Sequence, residues 1–234
     1  MTLSLLHVDP ASGTAAALTA TGGVAVGGYV HHAWRGLGAC ATQGLYTNPW
    51  YPDGVRRALE TGATASDALD GVVSADDGAD CRQCLVMDAR GRAALHSGTG
   101  NHPVVAGVCY PGLAAAGNLL AGPGVIDALL RRFLERTCDD PDAVIENATA
   151  PRYRDGYQTT LLETLIDALE AALAAGGDVR GTRSAALRIE SFHAAPIDLR
   201  VDWAEPDPID ALRALAARVR DPDFGRFLDA LPQR

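Results

Sequence analysis

Two short apolar segments joined by a turn sequence open this chain, and they constrain its fold more than any other feature. Residues 2–8 and 14–21 are strand-like. The residues between them, Asp9-Pro10-Ala11-Ser12-Gly13, place Pro and Gly where a hairpin needs them. The chain is therefore predicted to begin as an antiparallel pair of strands.

Strand-like and helical patterns follow in an order that indicates the fold class. Leucines recur at three- and four-residue spacing within 157–175, which predicts the clearest long helix, and Gly176-Gly177 supplies its stop. The other predicted elements are helices at 51–61, 65–73, 123–134 and from Asp207 onward, and extended segments at 30–41, 84–88, 93–96, 104–110, 184–192 and 197–203. Loops are predicted at 42–49, just before Asn118 and at 139–156, the last as a surface excursion. This order predicts an α+β fold in one domain over residues 1–234, with antiparallel sheet covered by helices.

The charged residues exclude several classes of function. All 20 basic residues are arginine, so a Schiff-base lysine, a P-loop lysine and a Ser-Lys dyad are unavailable. The net charge is −9 and the arginines are mostly scattered, which argues against a nucleic-acid partner. The sequence has neither a recognisable signal peptide nor an apolar run of the ~20 residues that span a bilayer. The five cysteines are therefore interpreted as reduced thiols. A cytoplasmic protein without membrane contact is expected.

Thr2 is the first candidate for chemistry. Removal of Met1 would make it N-terminal, and an N-terminal threonine carries both a hydroxyl nucleophile and an α-amine with a pKa of about 8 that accepts the hydroxyl proton. No separate histidine is then needed. The alternative is that Thr2 is only a small residue of the kind common after an initiator methionine.

Several segments carry a resemblance to a known family. In order, they are Met1–Pro10, Gly38–Gln43, Thr47–Pro49, Gly117–Gly122, Gly176–Gly181, Ser184–Leu187, Asp198–Asp202 and Pro206–Ile209. Together they closely resemble the characteristic segments of the family called domain of unknown function 1028, over residues 1 to about 215.

The resemblance implies an N-terminal-nucleophile (Ntn) hydrolase fold, a four-layer αββα sandwich of two antiparallel sheets flanked by helices. Thr2 would be the nucleophile, acting on an amide bond without metal or organic cofactor. The chain departs from the family pattern at Thr21-Gly22-Gly23, where relatives commonly have Ser and a basic or bulky residue, and at Arg183, where similar sequences often have Gln. These departures put the shape of the substrate pocket in question.

Three further residues are candidates for catalysis or substrate binding. Asn118 lies between small and apolar residues, and its amide is expected either to donate to a developing oxyanion or to form a turn. Asp178 is expected to orient the Thr2 amine, and Arg180 to clamp a substrate carboxylate. The alternative is an ion pair between these two residues that holds their loop.

The remaining candidates are weaker. Gln43 and Asn48 offer amides on a loop expected to border the cleft, although Asn48 before Pro49 also suits a helix entry. Neighbouring His31 and His32 point to opposite faces of a strand, so one at most serves a given site, and His32 is our candidate for substrate binding.

Metal binding is not expected. Cys81 and Cys84 have the spacing of a zinc or redox motif, but a second ligand pair is missing from the sequence nearby.

These observations predict an amidohydrolase of the Ntn type that acts on a small-molecule amide or related acyl bond. The alternative is a catalytically silent protein of the same fold that binds a small ligand or a partner enzyme. A maturation or scaffolding role is a third reading, and no sequence feature favours or opposes it. The implied architecture often pairs through its faces, which leaves a homo-oligomer open.

Overall fold

The structure is a computed structural model, and it describes residues 2–232. The strands are β1 (Thr2–Asp9), β2 (Thr14–Thr21), β3 (His31–Trp34), β4 (Gly38–Gly44), β5 (Arg82–Asp88), β6 (Ala93–Ser97), β7 (Ala106–Tyr110), β8 (Leu113–Asn118), β9 (Ser184–Glu190) and β10 (Ile197–Val201). The helices are α1 (Tyr51–Glu60), α2 (Ala65–Val73), α3 (Gly124–Thr137), α4 (Pro141–Asn147), α5 (Leu161–Ala174), α6 (Ile209–Val219) and α7 (Pro222–Asp229). The predicted α+β class is confirmed.

The strands form two antiparallel sheets. The larger has six strands in the order β10-β9-β2-β1-β8-β7, and the smaller has four in the order β3-β4-β5-β6. The predicted opening hairpin is confirmed, with Thr2 opposite Thr21 and Asp9 opposite Thr14. Its turn is held by the Asp9 carboxylate, which accepts from Ala11 N at 3.0 Å and from Ser12 Oγ at 2.6 Å.

Three hydrophobic cores determine how the layers pack. Leu3 and Leu5 of β1 face α3 and α5, where they meet residues such as Phe133 and Leu165. Leu6 and Val8, on the opposite face of β1, pack between the two sheets. The outer face of the smaller sheet packs against α1 and α2. Because β1 is buried on both faces, apolar side chains occur at both parities of the strand.

Two sequence predictions of strands need correction. Residues 30–41 were predicted as one extended segment, but they form the hairpin β3–β4 around Gly36, whose φ of +64° is one that glycine adopts without strain. Residues 113–118, just before and including Asn118, were predicted as a loop but form β8 of the larger sheet, between β1 and the edge strand β7. Alanine and glycine have low strand propensity, so β8 depends on its neighbours rather than on its own sequence.

Two predicted loops are partly regular. The polar segment 42–49 begins inside β4, which runs on to Gly44. The surface excursion 139–156 contains α4, whose N-cap is Asp140. Among the described residues, no helix is both long and apolar enough to cross a membrane.

Candidate active site

A row of four polar residues crosses one end of the larger sheet. Thr2 lies in register with Thr21 on one side and with Asn118 on the other, and Thr21 is in turn opposite Ser184. Residues directly opposite each other share a face of the sheet. The Thr2 hydroxyl donates to Thr21 Oγ1 at 3.3 Å. We call these residues, Ser184, Thr21, Thr2 and Asn118, the Thr2 row.

The Thr2 row faces the smaller sheet. Side chains alternate along a strand, and Leu6 of β1 belongs to the core between the sheets, so Thr2 and Ser4 point in the same direction. Ser4 Oγ confirms this orientation because it donates to Gln43 Oε1 of β4 at 2.7 Å. Near Thr2, the two sheets are therefore connected by a hydrogen bond between β1 and β4 and not by apolar contacts.

The sequence predicted Gln43 on a loop, but it lies on β4, in this layer between the two sheets. β4 extends one residue beyond it, and its side chain is only 2% exposed. Its amide donates to Gln83 Oε1 at 2.7 Å and to Ala116 O at 3.2 Å. All the polar atoms of Gln43 are thus engaged within the protein, so a direct contact with substrate would require one of these bonds to exchange.

Gln83 is the centre of the polar network. It is fully buried, and its Oε1 accepts from both Gln43 and Asn118, the latter at 3.2 Å. Its Nε2 donates to Ser97 Oγ at 2.9 Å and to Gly117 O at 3.2 Å. The bond from Asn118 holds one N–H of its amide toward Gln83, at the end of the sheet where Asn118 lies opposite Thr2.

Asp178 and Arg180 meet the Thr2 row from the loop after α5. The Asp178 side chain has no exposed surface. It accepts a hydrogen bond from the backbone N–H of Gly22, one from Arg180 N at 2.8 Å and one from Arg180 Nη2 at 3.0 Å. Arg180 Nη2 also donates to Thr21 Oγ1 at 3.3 Å. The ion pair, which the sequence left open as the alternative role of these two residues, is present. It contacts Thr21, the residue opposite Thr2 on the neighbouring strand.

The departure at Thr21-Gly22-Gly23 has a steric reason. A Cβ on Gly22 would lie 2.7 Å from both Asp178 Oδ2 and Gly181 O, closer than real Cβ atoms approach. Glycine at this position therefore allows the loop that carries Asp178 to close against the end of β2. Arg183, the other departure, donates from its backbone to Thr21 O at 2.8 Å and from its side chain to Pro206 O.

Comparison with protein-family models identifies the family of this chain. Residues 2–212 match the model of the "Family of unknown function (DUF1028)". The chain belongs to this family. A similar solved structure is the crystal structure of protein SPO2555 from Silicibacter pomeroyi, titled as DUF1028, with 29% identity and a TM-score of 0.83 over 99% of this chain and 92% of that one. Among curated proteins, no match to the chain was found.

Two predicted site residues of this DUF1028 protein lie apart from the Thr2 row. Asn48 lies between β4 and α1, where its Nδ2 donates to Asp76 Oδ2 at 2.9 Å and its Oδ1 accepts from Trp50 N at 3.0 Å. The hydrogen bonds from Arg82 and Asn48 hold the pKa of Asp76 well below its usual range. The hydrogen bonds of Asn48 therefore stabilise the loop between β4 and α1. Helix α1 begins after Trp50.

His32 is the second residue outside the row. It lies on β3 with its ring stacked on Trp34, the centroids 5.8 Å apart. Burial lowers the pKa of His32. It thus lies on the smaller sheet, whereas the Thr2 row lies on the larger one.

Sequence reasoning missed Ser4, Thr19 and Gln83 as members of the network. All three are polar residues at buried positions of strands that are otherwise apolar on both faces. Thr19 Oγ1 lies 3.0 Å from Ser4 Oγ and donates to Leu3 O at 3.1 Å. The available signal was a polar residue at a strand position whose side chain points into the protein. Only the pairing of the strands shows that these side chains lie together. Within residues 2–232, no group of three or more His, Cys, Asp and Glu side chains is placed to hold a metal ion.

Proposed function

We propose that this protein is an amidohydrolase of the Ntn type that cleaves an amide or related acyl bond of a small molecule, with Thr2 as nucleophile. The observation that carries the proposal is the position of Thr2 as the first residue of the central strand β1. Thr2 lies opposite Asn118 on one side and opposite Thr21 on the other, and Thr21 is contacted by Arg180 of the Asp178–Arg180 pair. Two antiparallel sheets between helical layers, each sheet facing the other through an apolar core, suit the αββα architecture that the family resemblance implies.

The chemistry starts with removal of Met1, which lies outside the described residues. The freed α-amine takes the Thr2 hydroxyl proton while Oγ1 attacks the substrate carbonyl, so that a C–O bond forms and the carbonyl electrons move to oxygen. The second N–H of the Asn118 amide is the donor for this oxyanion, a role worth roughly 3 kcal/mol in other enzymes. Because Gln83 fixes the amide beforehand, little reorganisation accompanies the reaction.

Collapse of the tetrahedral intermediate then breaks the C–N bond. The protonated α-amine returns its proton to the leaving nitrogen, and an ester between the acyl group and Thr2 remains. Water, deprotonated by the same amine, hydrolyses that ester and restores the hydroxyl. Asp178 would hold the charge of the α-ammonium, and Arg180 would contact a carboxylate on the substrate.

The test is release of ammonia or amine from a panel of small amides, using protein whose N-terminus is verified as Thr2 by mass spectrometry. Thr2→Ala is expected to lower turnover by a factor on the order of 10³ or more, because nucleophile and proton acceptor are coupled. Thr2→Ser should retain part of the activity, since hydroxyl and amine both survive.

Thr14→Ala is the matched control. It removes the same atoms from the opposite end of the same hairpin, and full activity is expected. Full activity of a well-folded Thr2→Ala protein would overturn the mechanism. No turnover of any amide by the verified protein would favour the ligand-binding alternative.

A further inference from the structure

A cleft lies between the edge strand β3 and the outer strands of the larger sheet. Its volume is 960 Å³, and it is walled by the β3–β4 turn, α1 and the end of β9. A smaller cavity of 280 Å³ that contains His31 adjoins it and shares Trp34, Arg56 and Arg188 with it. We call the two together the β3 cleft.

The β3 cleft is separate from the Thr2 row. Arg188, which lines both of its parts, stands four residues along β9 from Ser184 of the row. At a rise of about 3.3 Å per residue, this spacing corresponds to roughly 13 Å along the strand. A ligand in the β3 cleft therefore does not occupy the candidate active site.

Buried polar atoms without a hydrogen-bond partner are concentrated at this cleft. Seven such side-chain atoms occur in residues 2–232, and four of them belong to His31, His32 and Arg35. They are both ring nitrogens of His31, Nε2 of His32 and Nε of Arg35. His31 is only 6% exposed. Since more than nine in ten buried polar groups are normally hydrogen-bonded, this concentration points to a polar partner that enters here.

His31 is an uncharged hydrogen-bond donor at neutral pH. Burial first, and then the positive charges of His32, Arg188 and Arg200, lower the pKa of His31 to about 3. The ring is therefore neutral at pH 7 and offers one N–H donor. An oxyanion, which only accepts hydrogen bonds, suits this donor and the unpartnered N–H of Arg35 beside it.

The carboxylates of the β3 cleft are each paired with an arginine, so its lining carries no net negative charge. Glu190 binds Arg188 at 2.6 Å and Arg35 at 3.1 Å, and Asp198 also binds Arg188 at 2.6 Å. On α1, Glu60 pairs with Nε of Arg56, and within residues 2–232 no hydrogen bond engages the two terminal nitrogens of Arg56, so they remain as donors. An incoming group thus meets N–H donors whose charges are balanced by paired carboxylates.

We propose that the β3 cleft binds a small oxyanion, the phosphate or carboxylate group of a metabolite, through donors from His31, Arg35 and Arg56. The anionic group would occupy the smaller cavity beside His31. The rest of the molecule would lie in the larger part, where Trp34 and Phe192 supply apolar walls and Phe192 is 53% exposed. Small-molecule sites commonly combine apolar walls with a few convergent polar groups in this way.

The test uses the full chain in a buffer without phosphate or carboxylate, at pH 7 and constant ionic strength. Inorganic phosphate and succinate are titrated separately while the histidine ring signals are followed by NMR and the heat of binding by calorimetry. We expect saturation by at least one of them, with a Kd on the order of 1 mM. Saturation by phosphate alone assigns a phosphate group, and saturation by succinate alone assigns a carboxylate.

Variants locate the site. Arg56→Gln and His31→Phe are expected to weaken binding at least about tenfold, as loss of a charge-assisted or buried hydrogen bond does. Arg152→Gln removes an equal charge from an exposed residue outside the cleft and should leave the Kd unchanged. Thr2→Ala should also bind normally, so the outcome does not depend on the proposed hydrolase activity.

His31→Phe also reports on folding. It removes two unpartnered buried nitrogens, so its melting temperature without anion should rise, whereas the rise on adding phosphate or succinate should disappear. The proposal is overturned by the absence of saturation by both anions, or by equal weakening in Arg56→Gln and Arg152→Gln, which would indicate only general charge attraction.

Discussion

Asn118 Nδ2 donates to Gln83 Oε1 over 3.2 Å, and this bond joins the two sheets at the end where Thr2 lies. Asn118 comes from β8 of the larger sheet and Gln83 from β5 of the smaller one. The bond fixes the amide of Asn118, whose backbone is in register with Thr2. The candidate oxyanion donor is therefore oriented by a residue of the other sheet.

Substitution of Gln83 tests the weight of this network. Gln83→Leu leaves Asn118, Gln43, Ser97 and a backbone carbonyl without their buried partner, so the free energy of unfolding should fall by about 3 kcal/mol. Urea denaturation measures the change. Gln158→Leu, on an exposed residue, is the control and should shift stability by less than about 0.5 kcal/mol. Equal stability of the two variants would contradict the network.

Asp178 and Arg180 should contribute unequally although they form one ion pair. The Asp178 side chain is fully buried and that of Arg180 is 49% exposed. Asp178→Asn places an N–H₂ group among N–H donors and should cost about 2 kcal/mol. Arg180→Gln loses a solvent-screened partner and should cost less than about 1 kcal/mol. Thermal unfolding of both variants decides, and a larger loss in Arg180→Gln would refute the assignment.

His7 should make the protein less stable in acid. It is fully buried, its Nδ1 donates to Gly112 O at 2.9 Å, and its Nε2 lies 2.8 Å from the Tyr157 hydroxyl oxygen. Burial lowers the pKa of His7 from 6.5 to about 4. Between these two pH values the unfolded chain binds a proton that the folded protein does not, so stability falls as pH drops through this window.

The expected loss from His7 is about 3 kcal/mol between pH 7 and pH 4. It is measured as the slope of unfolding free energy against pH, for the protein and for His7→Gln. The variant should show a shallower slope over pH 4–6.5, whatever its absolute stability. Because His31 has a lowered pKa as well, some slope remains in the variant. Identical slopes would mean that His7 is not held neutral.

The cysteines should differ sharply in reactivity. Cys40 and Cys84 are buried with their sulfur atoms 4.0 Å apart, Cys138 is buried, and Cys109 on β7 is exposed. A thiol reagent should therefore label Cys109 of the native protein first and the three buried thiols only in urea. Cys109→Ser should abolish the fast phase. Fast labelling of Cys40 or Cys84 in native protein would contradict the packing of α1 and α2 on the smaller sheet.

Periodicity and turn chemistry predicted most of the regular elements. The hairpin of β1 and β2, the helices α1 and α2 and the long helix α5 each have a local signal, such as Pro10 and Gly13 in the turn or the leucine spacing of α5. β8 has no such signal, because its alanines and glycine favour no strand on their own. Its position between β1 and β7 supplies the pairing that its sequence does not specify.

Sequence alone identified Thr2, Asn118, Asp178 and Arg180 as candidates, and it predicted the α+β class, because residue type and short-range spacing carry that information. Only the tertiary structure decided that β-sheet register aligns Thr2 with Asn118, that Gln43 is buried between sheets and that Gln83 orients Asn118. It also decided that His31 and Arg56, from different elements, line one cleft. These relationships depend on strand order and on the packing of one sheet over another, which join residues far apart in the chain, and no local pattern encodes such contacts.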